Sequence, residues 1–296
     1  MPVPQRIAIT GASGLIGTAL VGHLKSEGHT VQRLVRRTPI SADEVQWDPQ
    51  TGFVDLEPLR GVDAIIHLAG VGVGDKRWNK KYKSEILNSR LLGTTAIAHA
   101  VAELKPQVFI SASAIGWYGE SGNRAVVETD RAGDDFLAAV CREWEGAADL
   151  AGDTRTVKIR TGLVLDPTGG ALGKMLPLFR LGLGGKMGNG KQWWSWITLH
   201  DQIRAIVFAL ENPISGPVNL TAPNPVTTQE FTSALARAMH RPALFPVPGI
   251  ALKIALGGFS SEILGSKKVI PHALQEAGFT WDYPHISEAL GKLVED

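Results

Sequence analysis

Apolar runs and helical repeats alternate along the first 165 residues of the chain. Short apolar runs closed by a turn are typical of buried strands, and they cover 6–10, 30–35, 62–70, 107–113 and 156–165. Between them, apolar residues recur every three or four positions, which predicts helices over about 16–24, 78–104 and 136–151. Strands that alternate with helices are typical of a parallel sheet covered on both faces.

The pattern changes after about residue 165. Residues 166–196 are rich in glycine and hold three of the eight tryptophans, which is typical of a long functional loop. Helical spacing returns at 199–212 and at 227–240, where Thr227 or Thr228 is a candidate N-cap, and a strand is expected at 216–222.

We therefore predict an α/β fold, a Rossmann-type doubly wound parallel sheet with a small C-terminal substrate cap. Residues 1–165 are expected to form the Rossmann core. Residues 166–296 form a mixed region that supplies the last core elements, at about 196–222, together with the cap and the tail.

Composition narrows the class of protein. The chain has 296 residues, of which 44% are hydrophobic and 20% charged, and this argues against disorder. The net charge of +1 offers no global field for nucleic acid or a membrane surface, so we expect neither as a partner. The basic run at 76–83 is interpreted as a solvated helix start. A lone cysteine and the absence of a signal-like start predict a cytoplasmic protein, and a homodimer is compatible with the sequence.

The segment TGASGLIG, residues 10–17, lies between the first strand and the first helix. Such a turn offers backbone N–H groups and a helix N-terminus to a pyrophosphate. Gly11 permits the tight turn, Gly14 lets the backbone approach the phosphates with Ser13 beside it, and Gly17 lets the helix pack closely. The spacing differs from G-x-G-x-x-G, but its position predicts a dinucleotide site.

The end of the second predicted strand favours NADP(H) over NAD(H). An NAD site usually has an acid about 20 residues after the glycines, which bonds the ribose hydroxyls. No acid occurs from His29 to Ala42, whereas Arg33, Arg36 and Arg37 do. A guanidinium pairs well with phosphate, so we predict that Arg36 is the main contact of the 2′-phosphate.

Five segments together resemble the extended, epimerase-like branch of the short-chain dehydrogenase/reductase superfamily. They are TGASGLIG, DAIIHLAG, FISAS, RTGLVL and WITLHDQIRAI, in the order of that branch. The tail, with DKRWN and GLGGKMGNGKQWWSWI, is similar to a subgroup of epimerase family proteins that carry a DUF1731-type C-terminal tail. The resemblance implies the fold and nucleotide binding, and says little about the substrate.

The resemblance also implies positions at the cofactor. Leu15 and Ile16 are expected at the pyrophosphate. Leu68, Ala69 and Gly70 are expected at the adenosine ribose. Ser111 and Leu163 are expected at the nicotinamide. Arg90 stands where relatives have the asparagine of an N-x-x-G-T pattern. Glu85, one turn earlier, is expected to orient Arg90, with both residues at the nucleotide.

The usual chemistry of the superfamily is missing from this chain. Relatives use a tyrosine as general acid or base, a lysine four residues later that lowers its pKa, and a serine that holds the substrate oxygen. Ser113 matches the serine, but the other two places hold Leu137 and Cys141, or Phe136 and Val140 if the frame is shifted by one residue. Tyr118 is a candidate substitute for the tyrosine, with the wall of a substrate pocket as the alternative role.

Two functions follow as alternatives. The first is an NADP(H)-dependent oxidoreductase or epimerase of atypical mechanism, whose small carbonyl, hydroxyl or sugar-like substrate lies between Ser113, Tyr118 and a pocket of tryptophans. The second is an NADP-binding sensor with little or no turnover. The eight histidines show no metal-binding spacing, so no metal is expected. The tryptophans proposed to line the pocket are Trp193, Trp194 and Trp196, with packing of a small cap as the alternative role.

Overall fold

The computed structural model describes residues 3–295, in which strands alternate with helices as predicted. The fourteen strands are β1 (Arg6–Thr10), β2 (Thr30–Val35), β3 (Glu44–Asp48), β4 (Phe53–Val54), β5 (Ala64–His67), β6 (Val108–Ala114), β7 (Ala125–Val126), β8 (Arg155–Thr161), β9 (Leu163–Asp166), β10 (Trp193–Trp194), β11 (Trp196–Thr198), β12 (Gly216–Leu220), β13 (Val226–Thr227) and β14 (Lys268–Val269).

Ten α-helices accompany these strands in the described part of the chain. They are α1 (Leu15–Ser26), α2 (Lys80–Leu104), α3 (Phe136–Ala148), α4 (Gly170–Arg180), α5 (Leu199–Glu211), α6 (Thr228–Ala238), α7 (Gly249–Leu256), α8 (Ser260–Leu264), α9 (His272–Glu276) and α10 (Ile286–Glu295).

The main sheet has eight strands in the order β12-β8-β6-β5-β1-β2-β3-β4. All neighbouring pairs are parallel except β3 with β4, so the predicted doubly wound parallel sheet is confirmed. The strand order reverses between β1 and β5, and such a switch point opens a crevice at the carboxyl ends of the strands.

Two strands at one edge were not predicted. β3 and β4 are only five and two residues long, and β3 reads EVQWD, with polar residues at three of its five positions. Tertiary packing explains their strand conformation, because Val45 and Trp47 are buried in the core that also contains residues of α2.

Alternating side chains of the strands form two separate cores. On one face, Ile7 and Ile66 pack with Leu20 of α1 and Ile206 of α5. On the other face, Ile65 and Phe109 belong to a cluster with α2. Both faces of the central strands are therefore buried, as the nearly continuous apolar runs predicted.

The segment after residue 165 is more ordered than a long loop. The predicted strand 156–165 divides at Gly162, where an added Cβ would lie 2.7 Å from the carbonyl oxygen of Ser195. The predicted loop then contains α4, whose Leu172, Leu176 and Phe179 are buried. Glycines and Pro177 obscured this helical spacing in the sequence.

A third core holds the region after residue 165 together. The buried side chains of α4 pack with Phe231 of α6 and Leu290 of α10. This cluster is distinct from the two cores of the main sheet. Among residues 3–295, no helix is both long enough and apolar enough to cross a membrane.

The start of α6 provides a test of the local structure. The Thr227 hydroxyl accepts the N–H of Glu230, and the Glu230 carboxylate accepts the N–H of Thr227, which is a capping box. We expect Thr227→Ala to lower the free energy of unfolding by about 1 kcal/mol, measured by urea denaturation. Gln229→Ala, an exposed change in the same helical turn, should alter it by less than about 0.5 kcal/mol. Equal effects of the two changes would contradict the capping role.

Candidate functional site

The glycine loop between β1 and α1 is closely packed against its surroundings. Gly11 has a φ of +70°, and an added Cβ would lie 2.8 Å from the carbonyl carbon of Leu68. At Gly17 an added Cβ would lie 2.1 Å from the carbonyl oxygen of Gly11. Gly14 is the N-cap of α1 and has no side chain to cap the helix. The first N–H groups of α1 can therefore serve an anion, as predicted for a pyrophosphate.

Thr10 and His67 join the strands on either side of this crevice. The Thr10 hydroxyl accepts the N–H groups of Leu68 and Ala69, at 3.1 and 3.2 Å. Its single proton is therefore donated to Nδ1 of His67, 2.7 Å away. His67 is fully buried, and burial lowers its pKa to about 3. The ring is thus neutral, with its proton on Nε2.

A cleft runs along the carboxyl ends of the strands in two connected parts. The outer part has a volume of about 1340 Å³ and extends from Arg36 past the glycine loop to α2. The predicted residues that line it are Gly11, Ser13, Gly14, Arg36, Leu68, Ala69, Gly70 and Glu85. Its size suits the adenosine half of a dinucleotide.

The inner part of the cleft has a volume of about 390 Å³ and shares Gly11, Gly14 and Leu68 with the outer part. The predicted residues found only in the inner part are Leu15, Ile16, Gly17, Ser113 and Leu163. Ser111 and Arg90 line neither part, although both had been placed at the nucleotide. Ser111 is buried within β6.

The three arginines at the end of β2 have different partners. Arg33 donates to Asp43 at 3.1 and 3.0 Å, and Arg37 donates to both oxygens of Glu44 at 2.7 and 2.6 Å. These guanidinium groups hold the pKa of Asp43 and of Glu44 below the usual range. Across residues 3–295, nothing forms a hydrogen bond or an ion pair with Arg36. Arg36, the predicted contact of the 2′-phosphate, is thus the one of these three arginines without a hydrogen-bond or ion-pair partner in the described part of the chain.

Glu85 does not orient Arg90, which corrects that prediction. The Glu85 carboxylate lies 3.5 Å from the Lys76 ammonium group. Arg90 instead donates to the carbonyl oxygens of Val71 and Ile86, at 2.9 and 3.2 Å. Its guanidinium lies 4.7 Å from the centre of the Trp144 ring, and burial lowers its pKa. Arg90 therefore supports the loop after β5 from behind the cleft wall.

The places of the missing tyrosine and lysine are apolar. Leu137 and Cys141 are both buried on α3. The Cys141 sulfur lies 3.6 Å from the carbonyl oxygen of Ala114, and burial raises the pKa of the thiol to about 12. Neither residue can transfer a proton at neutral pH. The helix is capped by Asp135, whose side chain accepts the N–H of Ala138.

Ser113 lies at one end of a buried network of polar side chains. Its hydroxyl lies 2.6 Å from Oε1 of Glu145. Arg160 donates to both oxygens of the same carboxylate, Nε to Oε1 at 2.8 Å and Nη2 to Oε2 at 2.9 Å. Glu145 and Arg160 are 5% and 2% exposed, so this ion pair is almost entirely removed from water. Such a pair must be fully hydrogen-bonded to be tolerated.

Tyr118 belongs to this network and not to the cleft, which corrects both of its predicted roles. Its hydroxyl donates to Oδ1 of Asn219 at 2.7 Å and accepts from Nη1 of Arg160 at 3.0 Å. Burial raises the pKa of the phenol to about 12. A neutral phenol with both bonds occupied and no face on the cleft is neither a base nor a pocket wall.

The network continues into the C-terminal part of the chain. Asn219 donates its side-chain N–H to the carbonyl oxygen of Ile270, at 3.0 Å. Glu128 accepts the backbone N–H groups of Asn219 and Ala273, at 3.0 and 3.2 Å. Every link from Ser113 to the tail is therefore a direct hydrogen bond.

The three tryptophans line neither part of the cleft. Trp196 is fully buried in the third core, and its indole donates to the carbonyl oxygen of Asn224; its predicted pocket role is therefore wrong. Trp193 and Trp194 are partly exposed and donate to Asn123 and to the Ile263 carbonyl oxygen. These bonds hold the segment against its neighbours.

One group of possible metal ligands occurs among residues 3–295, formed by His200, Asp201 and Asp282. Arg204 donates to Asp201 at 2.8 Å and lies 3.2 Å from Asp282. A cation already satisfies these carboxylates, so the group does not point to a metal.

Glu145 and Arg160 were not predicted as site residues. A signal was present, because Arg160 interrupts a run of residues typical of a buried strand. A buried arginine requires a carboxylate partner, and Glu145 lies on a helix predicted to pack on that sheet.

Comparisons with known proteins agree with this geometry. The NAD dependent epimerase/dehydratase family matches residues 7–138, and a domain of unknown function, DUF1731, matches residues 247–293. The Epimerase family protein ML0860 of Mycobacterium leprae is 46% identical, over 96% of this chain and 94% of that protein.

Solved structures share the fold. A crystal structure of the human epimerase family protein SDR39U1 (isoform 2) with NADPH has a TM-score of 0.91 and 33% identity, over 98% of this chain and 99% of that one. MoeE5 in complex with UDP-glucose and NAD has a TM-score of 0.77 over 98% and 97% of the two chains. At 20% identity, that second likeness concerns the fold alone.

The buried His67 predicts a pH dependence of stability. Its folded pKa of about 3 lies below the unfolded value of about 6.5, so only the unfolded chain takes up the proton between them. Stability from this residue is complete above about pH 6.5 and is lost as the pH falls towards 3. The expected slope is at most about 1.4 kcal/mol per pH unit.

Urea denaturation between about pH 6.5 and pH 4 measures this slope. His67→Gln should make it shallower, whereas the exposed His99→Gln should leave it unchanged. An unchanged slope in the His67 variant would show that another group is responsible.

Proposed function

The chain belongs to the NAD dependent epimerase/dehydratase family and carries the DUF1731 domain, and from this premise we propose that it is an NADP(H)-binding oxidoreductase or epimerase of atypical mechanism. Its substrate would be a small molecule with a hydroxyl or carbonyl group, or a sugar-like one. The observation that carries the choice of cofactor is the unpartnered guanidinium of Arg36 on the rim of the cleft.

The charges around Arg36 support NADP(H) over NAD(H). Asp43 and Glu44 are the carboxylates nearest in sequence, and both are held by arginines. They present no free acceptor to the two ribose hydroxyls of NAD. Arg36 supplies the charge-assisted donors that a 2′-phosphate needs. The NADPH in the human structure agrees with this choice.

The inner cleft supports a place for the nicotinamide. It is lined by the apolar Leu15 and Leu163 and by the polar Ser113. When bound, the cofactor would supply the hydride, while the protein positions it and excludes water. The pyrophosphate would lie at the start of α1, between the two halves of the cleft.

A second function is favoured by one observation. The apolar pair Leu137 and Cys141 leaves the inner cleft without the acid or base that relatives use. An NADP-binding sensor with little or no turnover is consistent with that loss.

We expect Arg36→Ala to weaken the binding of NADP(H) by about tenfold to a hundredfold, the range for a lost bond to a charged group. The binding of NAD(H) should be unchanged, because NAD lacks the 2′-phosphate. Fluorescence titration with both reduced cofactors measures the difference. Arg180→Ala, an exposed change on α4, is the control. Equal losses for both cofactors would contradict the assignment.

Hydride exchange separates the enzyme from the sensor. The protein is incubated with NADPH that carries deuterium stereospecifically at C4 and with a broad panel of carbonyl compounds. An enzyme should transfer the label to at least one of them, as detected by mass spectrometry. Retention of the label with every compound would favour the sensor.

A further inference from the structure

The Ser113 hydroxyl is bonded to Glu145 inside the protein. Its oxygen lies 2.6 Å from Oε1 of Glu145, a normal length for an O–H···O⁻ bond. Ser113 also lines the inner cleft. The direction of the internal bond therefore decides what the hydroxyl can offer to a bound molecule.

The internal bond runs from Ser113 to Glu145. A carboxylate has no proton to donate, and both oxygens of Glu145 already accept N–H groups of Arg160. A serine hydroxyl has a single proton, and that proton is engaged by Oε1. Only lone pairs of the Ser113 oxygen remain for the cleft.

The surroundings hold Arg160 against Glu145. Arg160 is anchored on its other side by Tyr118 and by the carbonyl oxygen of Glu128, at 3.0 and 3.1 Å. Its guanidinium also lies 3.9 Å from the centre of the Trp117 ring. Arg160 cannot turn away from Glu145 without leaving several buried groups unpaired.

We infer that Glu145 and Arg160 set Ser113 as a hydrogen-bond acceptor, so that the substrate group held at this point is a donor, the hydroxyl of an alcohol. This inference rests on the proposed function and specifies its substrate class. A carbonyl oxygen in the same place would face lone pairs and lose its hydrogen bond. Glu145 acts through Ser113 and is therefore a positioning residue.

The test uses two small rings of nearly equal size that undergo no hydride transfer. Pyrrole offers an N–H donor, whereas furan offers only an acceptor. Both are titrated by ligand-observed NMR into the protein loaded with NADPH. Pyrrole should bind about threefold to tenfold more tightly than furan, as expected for one net hydrogen bond.

Ser113→Ala is the decisive variant, because it keeps the ion pair of Glu145 with Arg160. It should abolish the preference for pyrrole, and its NADPH affinity is measured separately so that both proteins are compared fully loaded. Glu145→Gln, checked for folding by circular dichroism, should narrow or reverse the preference, since an amide can donate to Ser113 and free its proton for the cleft. A purely structural role of Glu145 would not move this ratio.

The outcomes separate the inference from the proposed function. Equal or tighter binding of furan, a preference that survives Ser113→Ala, or no binding of either ring would overturn the inference while NADPH still binds. Failure of NADPH to bind the wild-type protein would instead overturn the proposed function.

Discussion

The close approach of backbone segments at the glycine loop is the constraint on which the cofactor cleft depends. Gly11 lies against the carboxyl end of β5, and Gly17 lies against Gly11, so α1 begins directly beside two strands. A Cβ at either position would meet backbone atoms at less than 3 Å and force them apart. The hydroxyl of Thr10 secures the same contact with three hydrogen bonds. The direction of the first N–H groups of α1 follows from this packing.

A second constraint lies deeper in the molecule. The ion pair of Glu145 and Arg160 is removed from water, which costs several kcal/mol for each ion unless bonds repay it. The hydrogen bonds among the six residues of this network offset that cost, since each charged or polar group has a partner. Buried ion pairs are weak evidence for stability, but a set of fixed bonds gives a unique arrangement of side chains. One end of the network is Ser113, which lines the inner cleft.

Much of the fold could be predicted from the sequence, because buried parallel strands are apolar on both faces and helices repeat at 3.6 residues. The strand β3 and the helix α4 could not be predicted. The polar residues of β3 obscure the apolar pattern of a strand, and the glycines of α4 obscure the apolar spacing of a helix. Packing with residues distant in sequence decides the structure of both segments. The cleft beside the glycine loop could be predicted because that loop is local in sequence. The network at Ser113 was missed because its members are brought together from β6, α3, β8 and β12, and no local spacing connects them. Tyr118 was misplaced for the same reason.

The hydrogen bonds from the network to Ile270 and Ala273 bear on how such a protein can evolve. A terminal segment that only covers a cleft can be replaced without a change in the protein beneath it. Here the tail completes the hydrogen bonding of Asn219 and Glu128, which lie at the opposite end of the network from Ser113. Replacement of this tail by that of another protein would therefore remove hydrogen bonds from the network that ends at Ser113, in the lining of the inner cleft.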